Sequence, residues 1–265
     1  MLNQGFILQN ERKVISVSGP DSVTFLQNLI TNDIGAPVDS LIYSALLTPQ
    51  GKYLFDFFVL RKSQKEFLID IASEVAEDFI KRLKIYQLRS HVELDETNIN
   101  VFIGFGEKPA SGFFDPRCCE MGWRFYCSDE MHNLEIKKFD KGVYDDLRVK
   151  LCIPETGIEL IQGKTLILEA GFERLSGVSF TKGCYIGQEV TARMKHKTDL
   201  KKGLALIEFK GDSKGCQSKN IESGGKVIGT VFTRANKLAI AYLNFRHLKS
   251  RMISGSEEII RVKRL

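Results

Sequence analysis

The sequence has no apolar run long enough to cross a membrane. Its opening, MLNQGFILQNERK, has no basic segment leading into a long apolar one, so no secretory signal is expected. No internal repeat and no low-complexity stretch occurs. The six cysteines are Cys118, Cys119, Cys127, Cys152, Cys184 and Cys216. Their spacing matches no zinc or cluster-ligand pattern, so no permanent metal or cluster is expected. A chain of 265 residues does not depend on disulfide staples either. These absences make a reducing cytoplasm the expected location, with no membrane partner. The net charge is +5, yet there is no Arg-rich arm or long Lys run. That tolerates anionic partners without favouring direct nucleic-acid binding.

What is present is an ordinary globular composition, 43% hydrophobic and 27% charged. Residues 14–17, 43–48, 53–60 and 67–71 read as strands by their β-branched and aromatic content. Pro49-Gln50-Gly51 between two of them suits a type II hairpin turn. Gly19-Pro20-Asp21 is expected to start a helix bearing Phe25, Leu26, Leu29 and Ile30 at helical spacing. Ser73 is expected to cap a second helix with Ala76, Phe79 and Leu83 on one face. Two further strands, 91–94 and 101–105, precede a linker-like break at 108–119, rich in Gly and Pro. Strand 123–127 and a helix over 142–149 follow. Beyond Leu200, short strands at 204–209, 226–232, 238–243 and 259–262 alternate with polar turns, the pattern of a small antiparallel barrel.

The chemistry concentrates in Ser179-Phe180-Thr181-Lys182-Gly183-Cys184-Tyr185-Ile186-Gly187-Gln188-Glu189. One cysteine sits between two glycines where a helical pattern begins, with Lys182 two positions earlier. A thiol at a helix N-terminus beside a cation is biased toward thiolate, the form that attacks electrophiles and binds metals. Gln188, four residues on, is expected on the same helix face. Glu189 and Arg193, also four apart, suit either an ion pair or a ligand role. Lys195, His196, Lys197, Lys201 and Lys202 form a basic cluster, which is a solvated rim unless a cavity lies beside it.

The run KGCYIGQE resembles the motif of the YgfZ family, folate-binding relatives of the glycine-cleavage T-protein that support iron–sulfur enzymes. Further blocks are similar to the family in order: Val17-Ser18-Gly19-Pro20-Asp21, Phe25-Leu26-Gln27, Thr31-Asn32-Asp33, Leu47-Thr48-Pro49-Gln50-Gly51-Lys52 and Leu88-Arg89-Ser90. Asp115-Pro116-Arg117, Gly122-Trp123-Arg124 and Ile153-Pro154-Glu155 continue the series.

The resemblance implies an α+β T-protein-like body around a central cavity, followed by a small C-terminal β-barrel. The expected divisions are an N-terminal folate-binding lobe at 1–107, a second lobe at 108–200 carrying the motif, and a barrel at 201–265. It also implies tetrahydrofolate or a derivative as bound ligand, and iron–sulfur client enzymes or assembly proteins as partners, tRNA-modifying enzymes among the clients. Cys184 and Lys182 are then the reactive pair. Tyr144, Asp56, Gln188, Glu189, Tyr185 and Arg193 are the candidate ligand contacts, Tyr144 either stacking on the folate ring or packing in the core.

Two departures from the T-protein stand out. Its pair of aspartates after the hairpin turn reads Phe55-Asp56 here. Its pterin-gripping glutamate is replaced by Lys150, which cannot accept a hydrogen bond. Both weigh against aminomethyl transfer. The reading is therefore a folate-binding accessory protein for iron–sulfur cluster assembly or repair. The alternatives are a one-carbon transferase and a non-catalytic scaffold.

Overall fold

The structure, a computed structural model, describes residues 4–35, 37–128, 138–196, 199–211, 218–248 and 250–264. Cys216 and Lys197 lie outside the described residues.

The strands are β1 (Gly5–Leu8), β2 (Arg12–Ser18), β3 (Leu41–Leu47), β4 (Tyr53–Arg61), β5 (Glu66–Ala72), β6 (Glu93–Glu96), β7 (Asn100–Phe105), β8 (Phe113–Phe114) and β9 (Trp123–Cys127) in the body. The barrel holds β10 (Lys202–Phe209), β11 (Asn220–Ser223), β12 (Lys226–Ala235), β13 (Leu238–Asn244), β14 (Met252–Ser254) and β15 (Glu257–Arg264). The helices are α1 (Ser22–Leu29), α2 (Ser73–Gln87), α3 (Lys141–Lys150) and α4 (Gln188–His196).

The first sheet is antiparallel, ordered β3-β4-β5-β2-β6. Side chains alternate along its strands, so Phe55, Phe57 and Val59 of β4 meet Phe25, Leu26, Phe79 and Leu83 of α1 and α2. The second sheet runs β1-β7-β9-β8. The expected boundary between residues 107 and 108 falls inside this sheet, between β7 and β8. Strands β10-β13-β12-β11-β14-β15 close into a barrel. The fold is thus the expected α+β body followed by an antiparallel barrel.

A bulge in the β3–β4 pair decides which side chains face the interior. Leu46 pairs with Phe55, but Leu47 pairs with Tyr53, which leaves Leu54 as the extra residue. Tyr53 and Asp56 would point to opposite faces of a regular strand. The extra residue brings both to the same face.

Several local expectations are corrected. The hairpin turn is not type II: the left-handed residue is Gly51, φ +72°, at the fourth position, not Gln50 at the third. Ser73 does not cap α2 but is its first residue, and no side chain caps that end. Helix α1 begins at Ser22, and the Asp21 carboxylate accepts the His91 N–H rather than a helical one. The 108–119 stretch is no linker, since it holds β8 and the buried Asp115–Arg117 ion pair. Strands β11 and β14, four and three residues long, lacked enough alternating pattern to be expected.

Candidate functional site

A cavity of about 370 Å³ opens inside the body. Asp56, Arg12, Arg117, Arg124 and Tyr144 line its interior, with Lys141, Glu155 and Thr156 among the other lining residues. Asp56 is buried, and its carboxylate accepts from Tyr53 Oη at 2.7 Å, Thr156 Oγ1 at 2.6 Å and Tyr43 Oη at 3.0 Å. Burial, reinforced by the Asp56 charge, pushes both tyrosine hydroxyls well above their ordinary value, so both remain donors.

The three arginines form one network, with Arg117 and Arg124 buried and Arg12 partly exposed. Arg117 grips Asp115 through Nε at 3.0 Å and Nη2 at 2.8 Å. Arg124, whose side chain is 2% exposed, bonds Asp70 at 2.7 Å and Asp115 at 3.4 Å. Arg12 bonds Asp70 at 2.6 Å. Burial alone would raise both carboxyls, but the facing guanidiniums hold Asp70 and Asp115 below the usual carboxylate range. The Arg124 guanidinium also lies 3.6 Å from the Phe58 ring centroid, and that of Arg117 at 4.7 Å. Tyr144 is buried beside the cavity, and its hydroxyl accepts from Arg117 Nη2 at 3.2 Å. It therefore joins the core and lines the cavity at once.

A second hub ties the barrel to this cavity. Arg148 of α3 contacts Glu155 at 3.0 Å, Glu159 at 3.2 Å and Thr233 of β12 at 2.9 Å. Burial raises the Glu155 carboxyl, and Arg148 opposes that rise.

Cys184 lies elsewhere. It is exposed and does not line the cavity. Helix α4 starts only at Gln188, so the expected place at a helix N-terminus is corrected: the thiol stands in the preceding loop, four residues short. Lys182 is not an exposed cation beside it. Its buried ammonium donates to the carbonyls of Gln27 at 2.7 Å, Ile30 at 2.8 Å and Asn32 at 2.8 Å. Desolvation lowers its pKa to about 8. Lys182 thus fastens the loop to the C-terminal end of α1, where carbonyls lack helical partners. The Ile186 N–H adds a bond to the Asn28 carbonyl at 3.3 Å.

Gln188 Nε2 turns back to the Gly183 carbonyl at 3.5 Å. Tyr185 is buried in the core, with the Lys182 ammonium 5.3 Å from its ring centroid. Glu189 and Arg193 pair with each other at 2.6 Å on the solvent face of α4. Of the basic cluster, Lys195 is paired with Glu173, while Lys201 and Lys202 are exposed.

The expected single site is therefore two places. Asp56 and Tyr144 belong to the cavity; Cys184, Gln188, Glu189 and Arg193 belong to the surface around α4. Phe55 points into the helix layer, away from Asp56, and Lys150 is exposed at the end of α3. Arg12, Arg117 and Arg124 were not singled out as site residues. The Asp-Pro-Arg and Gly-Trp-Arg blocks contained the signal for the latter two, since arginines beside a buried carboxylate mark a charged interior.

This geometry defines a class: a cavity-bearing body of glycine-cleavage T-protein type with an appended barrel. Residues 7–102 match the family model described as the GCVT N-terminal domain, and residues 201–264 that of the CAF17 C-terminal beta-barrel domain. A crystal structure of glycine cleavage system aminomethyltransferase T from Bartonella henselae superposes with a TM-score of 0.82. The superposition covers 99% of this chain and 85% of that one at 14% identity, a likeness of fold alone.

Among curated proteins, the chain is 30% identical over 242 residues to "Iron-sulfur cluster assembly factor IBA57 homolog, mitochondrial" of Neurospora crassa, covering 79% of this chain and 55% of that protein. It is 31% identical over 229 residues to "Iron-sulfur cluster assembly factor IBA57, mitochondrial" of Homo sapiens, covering 75% and 64%. The chain thus spans less than two thirds of the length of these relatives.

Proposed function

We propose that this chain is a YgfZ-like, folate-related iron–sulfur cluster assembly factor that works through Cys184. The observation that carries the reading is an exposed thiol on a loop anchored by a buried lysine, outside the cavity. A residue acting on a cavity ligand would face inward. One presented on a clamped surface loop suits a protein partner or a cluster handed over as cargo. The names borne by the curated relatives support the same role. A lone thiol does not retain a cluster, which usually needs four ligands. Cys184 therefore acts in transfer or repair, with clients that include tRNA-modifying enzymes. The absence of disulfides among the described cysteines suits a reducing compartment such as the cytoplasm.

The cavity is proposed to take a reduced folate. Its size falls within the usual range of ligand pockets, about 300–1,000 Å³. The donor set fits: Asp56 and Glu155 are acceptors suited to pterin N–H groups, Tyr144 offers an aromatic face, and Lys141, paired with Glu11 in this structure, would exchange that carboxylate for a folate tail. A bound folate would supply one-carbon or redox chemistry. The chain's own part is to hold it, with Asp56 fixed by three hydroxyls and Arg117 fixed by Asp115. The transferase alternative is less well supported, because Asp56 has no second carboxylate at the neighbouring position.

The test is complementation of a deletion strain. Cys184→Ala should fold, retain tetrahydrofolate binding and fail to restore iron–sulfur enzyme activity. Full rescue would sink the role of Cys184. Robust glycine-cleavage activity with a lipoyl carrier protein would favour the transferase.

A further inference from the structure

Helix α2 ends at Gln87, and the next residue, Leu88, stands at φ +42°, ψ −104°. Side chains other than glycine avoid that region, and such residues persist only where their surroundings impose them. Leu88 is also 89% exposed, and Ile85, one helical turn earlier, is 61% exposed. An apolar residue on a strained backbone, with no core to enter, contributes nothing to the fold.

The surroundings hold the loop firmly. The Ser90 N–H donates to the Gln87 carbonyl at 2.7 Å, and the His91 N–H donates to the Asp21 carboxylate at 2.7 Å. Gly19, φ +117°, makes this approach possible, since a Cβ there would collide with the His91 carbonyl oxygen. A notch lined by Asp21, Tyr86, Leu88, Arg89 and Ser90 opens beside the tip.

The charges around this tip are uneven. Arg82, Lys84 and Arg89 form no ion pair among the described residues, whereas Lys81 pairs with Glu77 and Asp78. The notch also holds one carboxylate, Asp21, which accepts from the His91 N–H, and the three cations outnumber it. Two aliphatic side chains among three unpaired cations fit an acidic surface with a pocket for a leucine-sized group. They are too small an apolar area to hold a membrane surface alone.

Position supports the same conclusion. The Leu88 loop is tied to Asp21, just before α1, while Lys182 ties the Cys184 loop to the far end of that helix. Eight helical residues span about 12 Å, so the two loops are anchored at opposite ends of one short helix.

We propose that the Leu88 tip is a docking anchor for an acidic protein partner, the same partner that meets Cys184. The second clause rests on the function proposed above; the anchor itself does not.

The experiment titrates the full chain with a synthetic 14-residue peptide of Asp, Glu and Leu, against a counterpart with Lys in place of the acids, and against phosphatidylglycerol vesicles. Amide resonances of residues 82–91 should move with the acidic peptide only. Leu88→Gly should weaken binding about tenfold or more, the worth of one buried leucine. Its melting temperature should match or exceed wild type, because glycine relieves the left-handed strain. Arg89→Glu should weaken binding as well, and Cys184→Ala should leave it unchanged. No response to the acidic peptide, equal response to both peptides, or unaltered affinity in Leu88→Gly would each overturn the anchor. Vesicle binding without peptide binding would overturn it in favour of a membrane-surface patch. Failure of Cys184→Ala to impair complementation, with peptide binding intact, would remove Cys184 from the scheme and leave the anchor standing.

Discussion

Gly187 and Gly51 pack backbone against backbone. A Cβ on Gly187 would stand 3.0 Å from Gly51 Cα and 2.6 Å from the Thr48 carbonyl oxygen, and one on Gly51 would lie 3.2 Å from the Gly187 carbonyl oxygen. Both have positive φ, +81° and +72°. The second glycine of the cysteine motif is thus the seat of the β3–β4 hairpin turn. The first, Gly183, has open space around it. The two glycines flanking Cys184 and Tyr185-Ile186 therefore serve different ends.

Gly187→Ala should destabilise the fold by about 1–3 kcal/mol through strain and collision with the Thr48 carbonyl. Gly183→Ala should change stability little. Urea denaturation of the two variants checks the contrast; equal losses would refute the assignment.

Lys182→Met keeps an unbranched stem but removes the donors to three carbonyls. A loss of about 2–4 kcal/mol is expected, since each buried acceptor left unpaired costs about 1–3 kcal/mol and partial rehydration reduces the sum. Alkylation of Cys184 in the still-folded variant should proceed as in wild type, because the ammonium is buried against the end of α1 and does not bond the exposed thiol. A slowed alkylation would restore Lys182 as a partner of the thiol.

Tyr144→Ala should weaken tetrahydrofolate binding about threefold to tenfold by removing an aromatic contact of about 0.5–1.5 kcal/mol. Tyr144→Phe keeps the ring and loses the bond from Arg117, so calorimetry of both separates stacking from positioning. Unchanged affinity in both variants would return Tyr144 to core packing alone.

Stability should fall in acid because of Asp70 and Asp115. Their folded pKa values lie below the ordinary 3.8, so the unfolded chain takes up protons first as pH drops. Their contribution is present above about pH 4 and is lost as pH falls toward the depressed folded values. Asp115→Asn should cost about 3–5 kcal/mol at neutral pH by leaving Arg117 without its buried counter-charge. It should also flatten the acid limb. Melting curves from pH 2 to 7 for both proteins test this; parallel curves would show that Asp115 adds no pH-dependent stability.

Much of this protein was legible along the chain. Alternation in β4 and the helical spacing of Phe25, Leu26 and Leu29 follow from local geometry, which any window of residues displays. The same holds for the position of the hairpin at Pro49-Gln50-Gly51, though not its turn type, and for four of the six barrel strands, which alternate with polar turns. The blocks from Val17 to Glu155 pointed to the T-protein-like fold because they occur in one sequence order.

Tertiary structure alone decided where those blocks meet. Lys182 sits two residues from Cys184 along the chain, so proximity suggested a thiol and its cation. Its ammonium instead reaches carbonyls some 150 residues earlier, because the orphan carbonyls at the end of α1 need a donor and burial there excludes water. Asp70, Asp115 and the three arginines are scattered from residue 12 to residue 124, and no local pattern marks a charge as buried. Only the packing of two sheets around one cavity brings them together, in an interior where each charge requires its partner. Sequence determined most of the elements and singled out Cys184 as a candidate; the fold set it on the surface and Asp56 inside.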